Sequence, residues 1–423
     1  MNSGPHLPNV GVTGTCQTSN WREEANEYGA SSREGARLRS YSRRRDVDAM
    51  LIDEVHISME ETMATLFKCS MGALVGGVVA ATTSVSMAAE SVSVQKQADI
   101  TTMCGSKPMV VGLSDGYGGN TWRKTAIAEL KDEIGRCKNV KRFIYTNANG
   151  DQQKANSDIN SMVAQGVNVL IVYPDFGAAQ IPAMRAATRA GVTVIPYMAE
   201  LPGVAGKDYA ANVSADLLRI GGAWADWFGQ NVKKGNVVFL GGIPGAPASQ
   251  TFLEGFKTHL SKYPSLKLVQ NDFVVTNWNP IDAPKAVEGV IAKYSQIDGL
   301  AADYGVTALA AVKTFQHANL PIPAIATGSS NNELSCKYVS MKDAGKPFPY
   351  YSLDGMTTVI RFAARRGVAT YQGTTDNEPL KVFPYTYADS GAGIAPKCDS
   401  AAPPDADFSS SLTVDKLKAV FTQ

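Results

Sequence analysis

The sequence has little net charge and few histidines. Its formal net charge is +1 over 423 residues, and it contains only four histidines. A chain without a clustered basic face is poorly suited to bind nucleic acid. The two common nucleotide-binding loops, Gly-x-Gly-x-x-Gly and Gly-x-x-x-x-Gly-Lys-Ser/Thr, are both absent. No serine–histidine–aspartate set is apparent, so we predict neither an enzyme nor a cofactor.

The sequence also lacks an apolar run of the roughly 20 residues that a membrane-spanning helix needs. At 63–89, Lys68 is followed by a shorter apolar core and then by the small residues of Ser86-Met87-Ala88. This order is typical of a bacterial signal peptide. A buried core helix is the alternative, but it does not explain the Ser-Met-Ala ending. We therefore predict export to a Gram-negative periplasm, with cleavage near Ala88 or Ala89.

The first 62 residues lack lysine and any periodic apolar pattern. They contain seven arginines and ten acidic residues, and the acidic residues weaken the interpretation as a basic nucleic-acid-binding arm. Met59-Glu60-Glu61-Thr62 must be encoded by a purine-rich run, which would serve as a ribosome-binding site just ahead of Met63. Two interpretations are open: 1–62 is a disordered leader, or it lies upstream of the true start codon.

From Glu90 onward the chain is again close to neutral, with 32 basic and 29 acidic side chains. Past Lys107, short apolar runs alternate with longer amphipathic ones. Strand-like segments at 109–113, 142–145, 169–172 and 192–195 alternate with helical patterns at 121–134, 152–165 and 178–190. Such alternation indicates right-handed strand–helix–strand units and a parallel sheet with helices on both faces.

The same alternation restarts after Asp216. Strand-like runs at 237–240, 273–275, 299–302 and 324–326 alternate with helices at 248–259, 284–294 and 306–317. A helix at 355–366, a strand at 381–387 and a short helix at 413–421 follow. For 332–351 we predict a surface insertion. The simplest interpretation is an α/β chain with two successive lobes, of a size that allows each lobe its own core.

Four cysteines remain after export: Cys104, Cys137, Cys336 and Cys398. An even number of cysteines in an oxidising periplasm predicts disulfides. Three pairings are possible, and Cys104–Cys137 with Cys336–Cys398 joins residues that we expect to share a lobe. No two of the four have Cys-x-x-Cys spacing, so no metal site is predicted.

Several blocks of this sequence resemble the type I periplasmic solute-binding proteins, in particular the ribose-like sugar-binding components of ABC importers. The resemblance covers about 107–390. It is carried by VVGLS at 110–114, DINSMVAQGVNVLIVYPDFGAAQIPAMRAATRAGVTVI at 158–195 and NVSADLLRIGGAWADW at 212–227. It implies two Rossmann-like lobes joined by a three-strand hinge, with solute bound in the cleft between them. The expected lobes are 107–212 with about 353–380, and 213–352 with about 381–423.

The resemblance further implies partners: a small-molecule solute, with a sugar or polyol expected, and an ABC permease in the inner membrane. We expect a monomer. A sensor or chemoreceptor subunit is an alternative that the sequence does not separate from a transport component, as is a receptor for a non-sugar polar solute. A sugar-responsive transcription repressor would share the core, but it needs an N-terminal helix-turn-helix, and the residues before 107 offer an export signal instead.

The candidate solute contacts follow the strands, because ligands of open parallel sheets bind beyond the carboxyl ends of the strands. Aromatic faces suit the C–H patches of a sugar ring, and amides and carboxylates suit its hydroxyls. Trp122 and Trp278 are the expected stacking faces; core packing is the alternative for Trp122, as helix capping is for Asn120 and hinge geometry for Asn212. The full candidate set is Ser114, Asp115, Asn120, Trp122, Arg123, Tyr173, Asp175, Tyr197, Asn212, Trp278, Asp303 and Ser329.

Three positions depart from the pattern of many ribose-like proteins. Tyr197-Met198 stands where an Asp-Arg pair is common, the loop IPGAPASQ lacks an arginine, and Gly328-Ser329 stands where an aspartate is common. Fewer charged groups therefore face the expected cleft. The departures leave the class of protein in place and the identity of the solute open.

Overall fold

The computed structural model describes residues 92–328 and 331–421. The predicted leader, signal peptide and cleavage site, together with Ser329, lie outside the described residues. The elements are, in chain order, β1 (Val92–Ser93), β2 (Met109–Asp115), α1 (Thr121–Ile134), β3 (Val140–Asn147), α2 (Gln152–Ala164), β4 (Val169–Tyr173), α3 (Ile181–Arg189), β5 (Thr193–Met198), β6 (Val213–Ala215), α4 (Leu217–Asn231), β7 (Gly235–Gly241), α5 (Pro247–Leu260), β8 (Leu266–Leu268), β9 (Val274–Val275), α6 (Asp282–Lys293), β10 (Gly299–Ala302), α7 (Gly305–His317), β11 (Ala324–Gly328), α8 (Asn332–Asp343), β12 (Tyr350–Leu353), α9 (Val359–Gln372), β13 (Lys381–Phe383), β14 (Thr386–Asp389) and α10 (Val414–Phe421).

The described strands form two sheets. The first has the order β1-β13-β6-β5-β4-β2-β3, and its neighbouring strands pair in parallel. The second has the order β14-β12-β11-β10-β7-β8, with β9 also paired to β7. Among the strand pairs described in this sheet, only β12–β14 is antiparallel. The predicted alternation of strands and helices is therefore confirmed, and with it the α/β fold of two parallel-sheet lobes.

The central strands have apolar residues at consecutive positions because helices cover both faces of each sheet. All five residues of β4, VLIVY, are buried, as expected for a parallel strand in the middle of a sheet. On one face, Ile159, Met162 and Met184 of α2 and α3 share a core cluster with Leu170 and Val172. On the other face, Val359 and Phe362 of α9 share a cluster with Val169 and Ile171. Helix α9 thus comes late in the chain and returns to the first sheet.

Within the described residues, the chain passes between the two sheets three times. It does so between β6 and α4, between β12 and α9, and between β13 and β14. These passages form the hinge that the resemblance implies. Asp354, in the second passage, and Tyr385, in the third, hold two of them together, because the Asp354 N–H donates to Tyr385 O at 3.0 Å and the Tyr385 N–H donates to Asp354 Oδ2 at 2.9 Å.

The prediction of a surface insertion at 332–351 is wrong. Helix α8 begins after Asn331, whose side chain accepts from the Leu334 N–H, and Leu334 and Tyr338 are buried in the core of the second lobe. Strand β12 then pairs with β11 inside the second sheet. Helix α8 buries only one narrow face, and Leu334 and Tyr338 are its main buried apolar residues. This weak apolar pattern explains why the sequence did not predict a helix here.

The strand predicted at 381–387 is two strands in different sheets. Lys381–Phe383 pairs with β6 of the first sheet, and Thr386–Asp389 pairs with β12 of the second. Pro384 lies between them and lacks the N–H that a continuing strand would use. Lys381–Phe383 and β6 (Val213–Ala215) therefore belong to the first sheet, although 213–352 and about 381–423 were predicted to form the second lobe.

Both expected disulfides are present, Cys104–Cys137 with a Cα–Cα distance of 5.3 Å and Cys336–Cys398 with 4.8 Å. The second one fastens the start of a C-terminal strap, which we define as 398–421, to α8. Asn332 holds the same part of the strap by donating to Asp399 O at 2.7 Å.

The far end of the strap lies on the first lobe. The Ser411 N–H donates to Glu129 Oε1 of α1 at 2.7 Å, and Leu417 of α10 packs in a cluster with Ala128. Between the two ends, Ser409 Oγ accepts from the Gly355 N–H at 2.8 Å. The strap therefore contacts the second lobe, the hinge and the first lobe in turn.

Within 92–328 and 331–421, no helix has the length and apolar character needed to cross a membrane. The same residues contain no cluster of three histidine, cysteine, aspartate or glutamate side chains that could hold a metal ion.

Candidate functional site

A cavity of about 60 Å³ lies between the lobes, at the carboxyl ends of the strands. Side chains of both lobes and of the second hinge passage line it. From the first lobe come Asn120, Trp122, Arg123, Tyr173 and Met198; from the second come Ile220, Trp224, Ala248, Phe252, Trp278, Asp303, Tyr304, Gly328 and Leu353; from the hinge come Asp354, Gly355 and Met356.

The start of α1 supplies the first-lobe wall. Asn120 caps this helix by accepting from the Arg123 N–H at 2.9 Å, which fixes Trp122 and Arg123 at the mouth of the cleft. Trp122 meets Tyr173 edge to face at 5.7 Å, and the Arg123 guanidinium lies 3.1 Å from the centre of the Tyr173 ring. Asn120 is thus both a helix cap and a lining residue.

Arg123 is a buried ion-pair residue. Its Nη2 donates to Asp175 Oδ1 at 2.8 Å, and its Nη1 lies 3.1 Å from Asp115 Oδ1. Burial alone would lower the pKa of Arg123, but the two carboxylates outweigh that effect and raise it. Burial raises the pKa of Asp175 to about 7, although Arg123 pulls it down. The two aspartates, which do not line the cavity, hold the guanidinium in place and offset its positive charge.

Trp278 and Asp303 form the opposite wall. The Trp278 Nε1–H donates to Asp303 Oδ1 at 3.0 Å, and Ser249 Oγ donates to Asp303 Oδ2 at 2.5 Å. Glycine is required at Gly242, because a Cβ there would lie 2.1 Å from Cε2 of Trp278. Burial raises the pKa of Asp303 to about 7, with the bonds from Ser249 and Trp278 acting in the opposite direction.

The hinge supplies the floor of the cavity. Trp122 Nε1 donates to the Gly355 carbonyl at 2.5 Å, and Asp354 Oδ1 accepts from the Met356 N–H at 2.7 Å. Burial raises the pKa of Asp354 to about 7. A site built on hinge atoms links occupancy of the cavity to the angle between the lobes.

The lobes also touch each other directly beside the cavity. The hydroxyls of Thr121 and Tyr304 are hydrogen-bonded across the cleft, and the rings of Tyr117 and Trp278 lie 6.3 Å apart. The structure is therefore in a closed arrangement. Outside this closure, a wider cavity of about 620 Å³ opens between loops of the two lobes, with Tyr117, Asp175 and Asn277 in its lining.

The structure brings together part of the predicted residue set. Asn120, Trp122, Arg123, Tyr173, Trp278 and Asp303 line the cavity. Asp115 and Asp175 lie behind Arg123. Ser114 and Tyr197 are each 1% exposed and lie outside the lining, with Tyr197 edge to face against Tyr173 at 5.2 Å. The part that each of these residues plays in binding stays a prediction.

Asn212 lies outside the lining and is engaged in its own loop. Its Oδ1 accepts from the Leu201 N–H at 2.9 Å, and its Nδ2 donates to Ala199 O at 3.1 Å. These bonds position the chain just ahead of β6, where the first hinge passage begins. This placement agrees with the alternative prediction that Asn212 shapes the hinge.

Sequence reasoning missed the lining residues that come from helices and from the hinge. Ile220 and Trp224 are four residues apart on α4, and Ala248 and Phe252 are four apart on α5. This spacing marks one helix face, and it was visible in the sequence. Packing between distant parts of the chain decides which helix face meets the cleft, and no local sequence pattern indicates that packing.

The comparisons with known proteins agree with this architecture. Residues 63–346 match the family model described as a periplasmic binding protein domain. Two relatives are a xylitol-binding protein of Mycolicibacterium smegmatis, 29% identical over 202 residues (47% of this chain, 56% of the relative), and the D-xylose-binding periplasmic protein of Escherichia coli, 27% identical over 178 residues (41% and 52%). The chain spans about half the length of the curated relatives it matches.

Solved structures share the fold. A myo-inositol binding protein of Caulobacter superimposes with a TM-score of 0.59 and 21% identity, covering 68% of this chain and 96% of that one. A solute binding protein of an ABC transporter from Thermobispora bispora gives 0.58 and 21%, covering 74% and 94%. The family match confirms the predicted resemblance. On the match over 63–346 and the two-lobed fold, this chain belongs to the periplasmic binding protein family.

Proposed function

We propose that this protein is the periplasmic substrate-binding component of an ABC importer, and that it captures a sugar or sugar-like solute between its lobes. The observation that carries the proposal is the cavity at the carboxyl ends of both sheets, to which both lobes and the hinge contribute. A solute that touches both lobes stabilises the closed arrangement relative to the open one. The closed arrangement then presents one continuous surface to an inner-membrane permease.

The composition of the walls supports a neutral hydroxylated solute. Trp122 and Trp278 offer aromatic faces from opposite lobes, and Asn120 and Asp303 offer polar atoms beside them. Relatives named for binding xylitol, D-xylose and galactofuranose support the same class of solute. The candidate residues in the lining act in this proposal as direct contacts, and Asp115 and Asp175 act by holding Arg123.

The proposal includes export and a monomeric, two-lobed mature protein. The family match begins at residue 63, the position at which the signal peptide is predicted to start. Cleavage near Ala88 or Ala89 leaves a mature chain that begins at Ala89 or Glu90. The first lobe comprises 107–212 with about 353–380, together with Val213–Ala215 and Lys381–Phe383 of its sheet and the far end of the strap, which packs on α1. The second lobe comprises the remainder of 213–352 and of about 381–423.

A thermal-shift screen of 90–423 against pentoses, hexoses, polyols and small non-sugar solutes tests the proposal. A ligand present at 100-fold over its dissociation constant adds about 2.7 kcal/mol of stability, and we expect at least one sugar or polyol to raise the melting temperature accordingly. A response to non-sugar solutes alone would overturn the solute class. No response to any solute would overturn the proposed function.

A further inference from the structure

The end of the cavity next to the hinge is lined by apolar side chains. Met198 ends β5 and its Cα pairs with Ser214 of β6, the strand that leads into the first hinge passage. Ile220 lies in the first turn of α4, directly after that passage, and Met356 lies in the second passage. All three apolar residues line the cavity and belong to one core cluster. Apolar groups of both lobes and of the hinge therefore meet at this end.

The polar groups at the hinge end are already engaged within the protein. Both carboxylate oxygens of Asp354 accept backbone N–H groups, from Met356 at 2.7 Å and from Tyr385 at 2.9 Å. The Gly355 carbonyl accepts from Trp122 Nε1 at 2.5 Å. Asp354 is also only 2% exposed. Among the described lining residues, this end therefore offers a solute few free hydrogen-bonding atoms.

The opposite end, at the mouth of the cleft, is polar. Trp278 lies beside the outer opening, because its neighbour Asn277 lines the wider outer cavity. The two oxygens of Asp303 accept one hydrogen bond each, from Trp278 and Ser249, and each oxygen keeps a further lone pair. Asn120 caps α1 with its Oδ1, which leaves its Nδ2 group for a solute. Hydroxyl groups of a solute thus have partners at the mouth.

The two ends of the cavity place different demands on the edge of a sugar ring. In the proposed function, Trp122 and Trp278 cover the two faces of the ring, so the substituents at its edge point to the mouth and to the hinge. A hydroxyl at the hinge end would be buried without a partner, which is unfavourable. A methyl group there would instead gain from leaving water. The substituent at the hinge end should therefore be apolar.

The backbone supports a ligand-binding role for these residues. Met198 and Met356 have left-handed backbone conformations, with φ of +77° and +55°, and Trp278 has a φ of +47°. Such conformations are uncommon for residues other than glycine. They persist where the surroundings enforce them, and they cluster at active sites and ligand-binding positions. The cavity lining has one such residue from each lobe and one from the hinge.

We propose that the solute is a deoxy sugar whose terminal methyl group replaces the hydroxymethyl group of its parent sugar. The methyl group packs against Met198, Ile220 and Met356, and the hydroxyls bind Asn120 and Asp303. This inference rests on the proposed function and narrows its solute class. Met198 is then a determinant of specificity, because it is the most exposed of the three apolar side chains, at 6%.

Titration calorimetry of 90–423 with matched pairs of sugars tests the inference. The pairs are 6-deoxy-L-mannose with L-mannose, 6-deoxy-L-galactose with L-galactose, 6-deoxy-D-galactose with D-galactose, and 6-deoxy-D-glucose with D-glucose. The members of a pair differ by one hydroxyl group. We expect at least one deoxy sugar to bind with a dissociation constant at least about tenfold below that of its parent, the scale on which an apolar pocket discriminates one such group.

The possible outcomes separate this inference from the proposed function. A smaller preference, or tighter binding of the parent sugar, in every pair that binds would overturn the inference and leave the proposed function in place. Absence of binding by all of these sugars would also overturn the inference. The thermal-shift screen then decides the proposed function separately.

Met198→Gln tests the apolar end, because it places an amide there with little change in side-chain length. We expect the ratio of the two dissociation constants in the preferred pair to fall at least about fivefold, since the amide can bind the hydroxyl of the parent sugar. Met198→Leu stays apolar and should retain the wild-type preference. The ratio compares two solutes on one protein, so a loss of folded protein does not alter it. An unchanged ratio in Met198→Gln would contradict the placement of the methyl group.

Two further variants serve as controls. Met341→Gln is the matched substitution, because Met341 is half-buried on α8 and does not line the cavity. It should leave the ratio unchanged. Asp303→Asn alters the polar end, so it should weaken binding of both members of the pair by a similar factor. A change of the ratio in either variant as large as that in Met198→Gln would contradict the division of the cavity into a polar and an apolar end.

Discussion

Asp354 and Tyr385 bind each other through two hydrogen bonds that join separate passages of the chain between the sheets. One bond uses the Asp354 N–H and the other uses its carboxylate. The same carboxylate also accepts from the Met356 N–H, and Met356 lines the cavity. Through Asp354 the hinge and the floor of the cavity are parts of one hydrogen-bonded unit.

Asp354→Ala should destabilise the protein by about 2–4 kcal/mol, because it leaves the buried N–H groups of Met356 and Tyr385 without an acceptor. Chemical denaturation of 90–423 measures the change in the free energy of unfolding. Asp343→Ala is the control, since Asp343 is exposed near the end of α8. A loss no larger than that of the control would contradict the role of Asp354 in the hinge.

Trp122→Ala and Trp278→Ala should each weaken solute binding by about 1–3 kcal/mol, the scale of burying one large apolar side chain. Isothermal titration calorimetry, with the solute that most stabilises the wild type, measures this loss of binding free energy. Tyr371→Ala serves as the control, because Tyr371 lies on α9 outside the cavity lining. Unchanged affinity in both tryptophan variants would place the solute elsewhere.

Asp303→Asn should reduce the dependence of stability on pH. The folded pKa of Asp303 is about 7 and its ordinary value is 3.8, so between these values the folded state holds a proton that the unfolded state has lost. The free energy of unfolding therefore falls as pH rises from about 4 to about 7 and levels off above that. Asparagine does not ionise, so the slope of the variant should be shallower.

Asp175 and Asp354 contribute in the same direction, because burial raises the pKa of each to about 7. The slope of Asp303→Asn should therefore be reduced and not abolished. Thermal denaturation between pH 4 and pH 7, with the exposed Asp272→Asn as control, measures the slopes. Identical slopes for wild type and Asp303→Asn would contradict the buried state of this carboxyl.

Removing either disulfide should cost about 3–4 kcal/mol, from the chain entropy of closing loops that span 33 and 62 residues. The two pairs of substitutions should loosen different regions of the protein. Cys336→Ser with Cys398→Ser frees the start of the strap, so hydrogen exchange should rise at Ser409 and Ser411 and at α10. Cys104→Ser with Cys137→Ser is the matched pair, and faster exchange of the strap in that pair alone would contradict the anchoring.

The sequence predicted the order of the strands and helices because both follow from local patterns. The buried strand at Val169–Tyr173 and the capped helix at Thr121–Ile134 are examples in which hydrophobic periodicity and a capping residue suffice. The pairing of the cysteines was predictable because close partners in a two-lobed chain share a lobe. The hinge was predicted only from the resemblance to the family, and not from local patterns.

What the sequence did not predict depends on contacts between distant residues. The helix at Asn332–Asp343 was missed because Leu334 and Tyr338 are its main buried apolar residues. The segment 381–387 was predicted as one strand, although Pro384 divides it into two strands that pair with different sheets. Trp224, Phe252 and Met356 were missed in the cavity because the packing of helices α4 and α5 and the path of the hinge decide which side chains reach the cleft.

The most direct test of the account is isothermal titration of 90–423 and of the double variant Trp122→Ala/Trp278→Ala with the same sugar or polyol. We predict one solute per wild-type chain and loss of measurable binding in the double variant, with both proteins folded by circular dichroism. Binding of equal affinity in the two proteins would contradict the claim that the cleft between the lobes holds the solute.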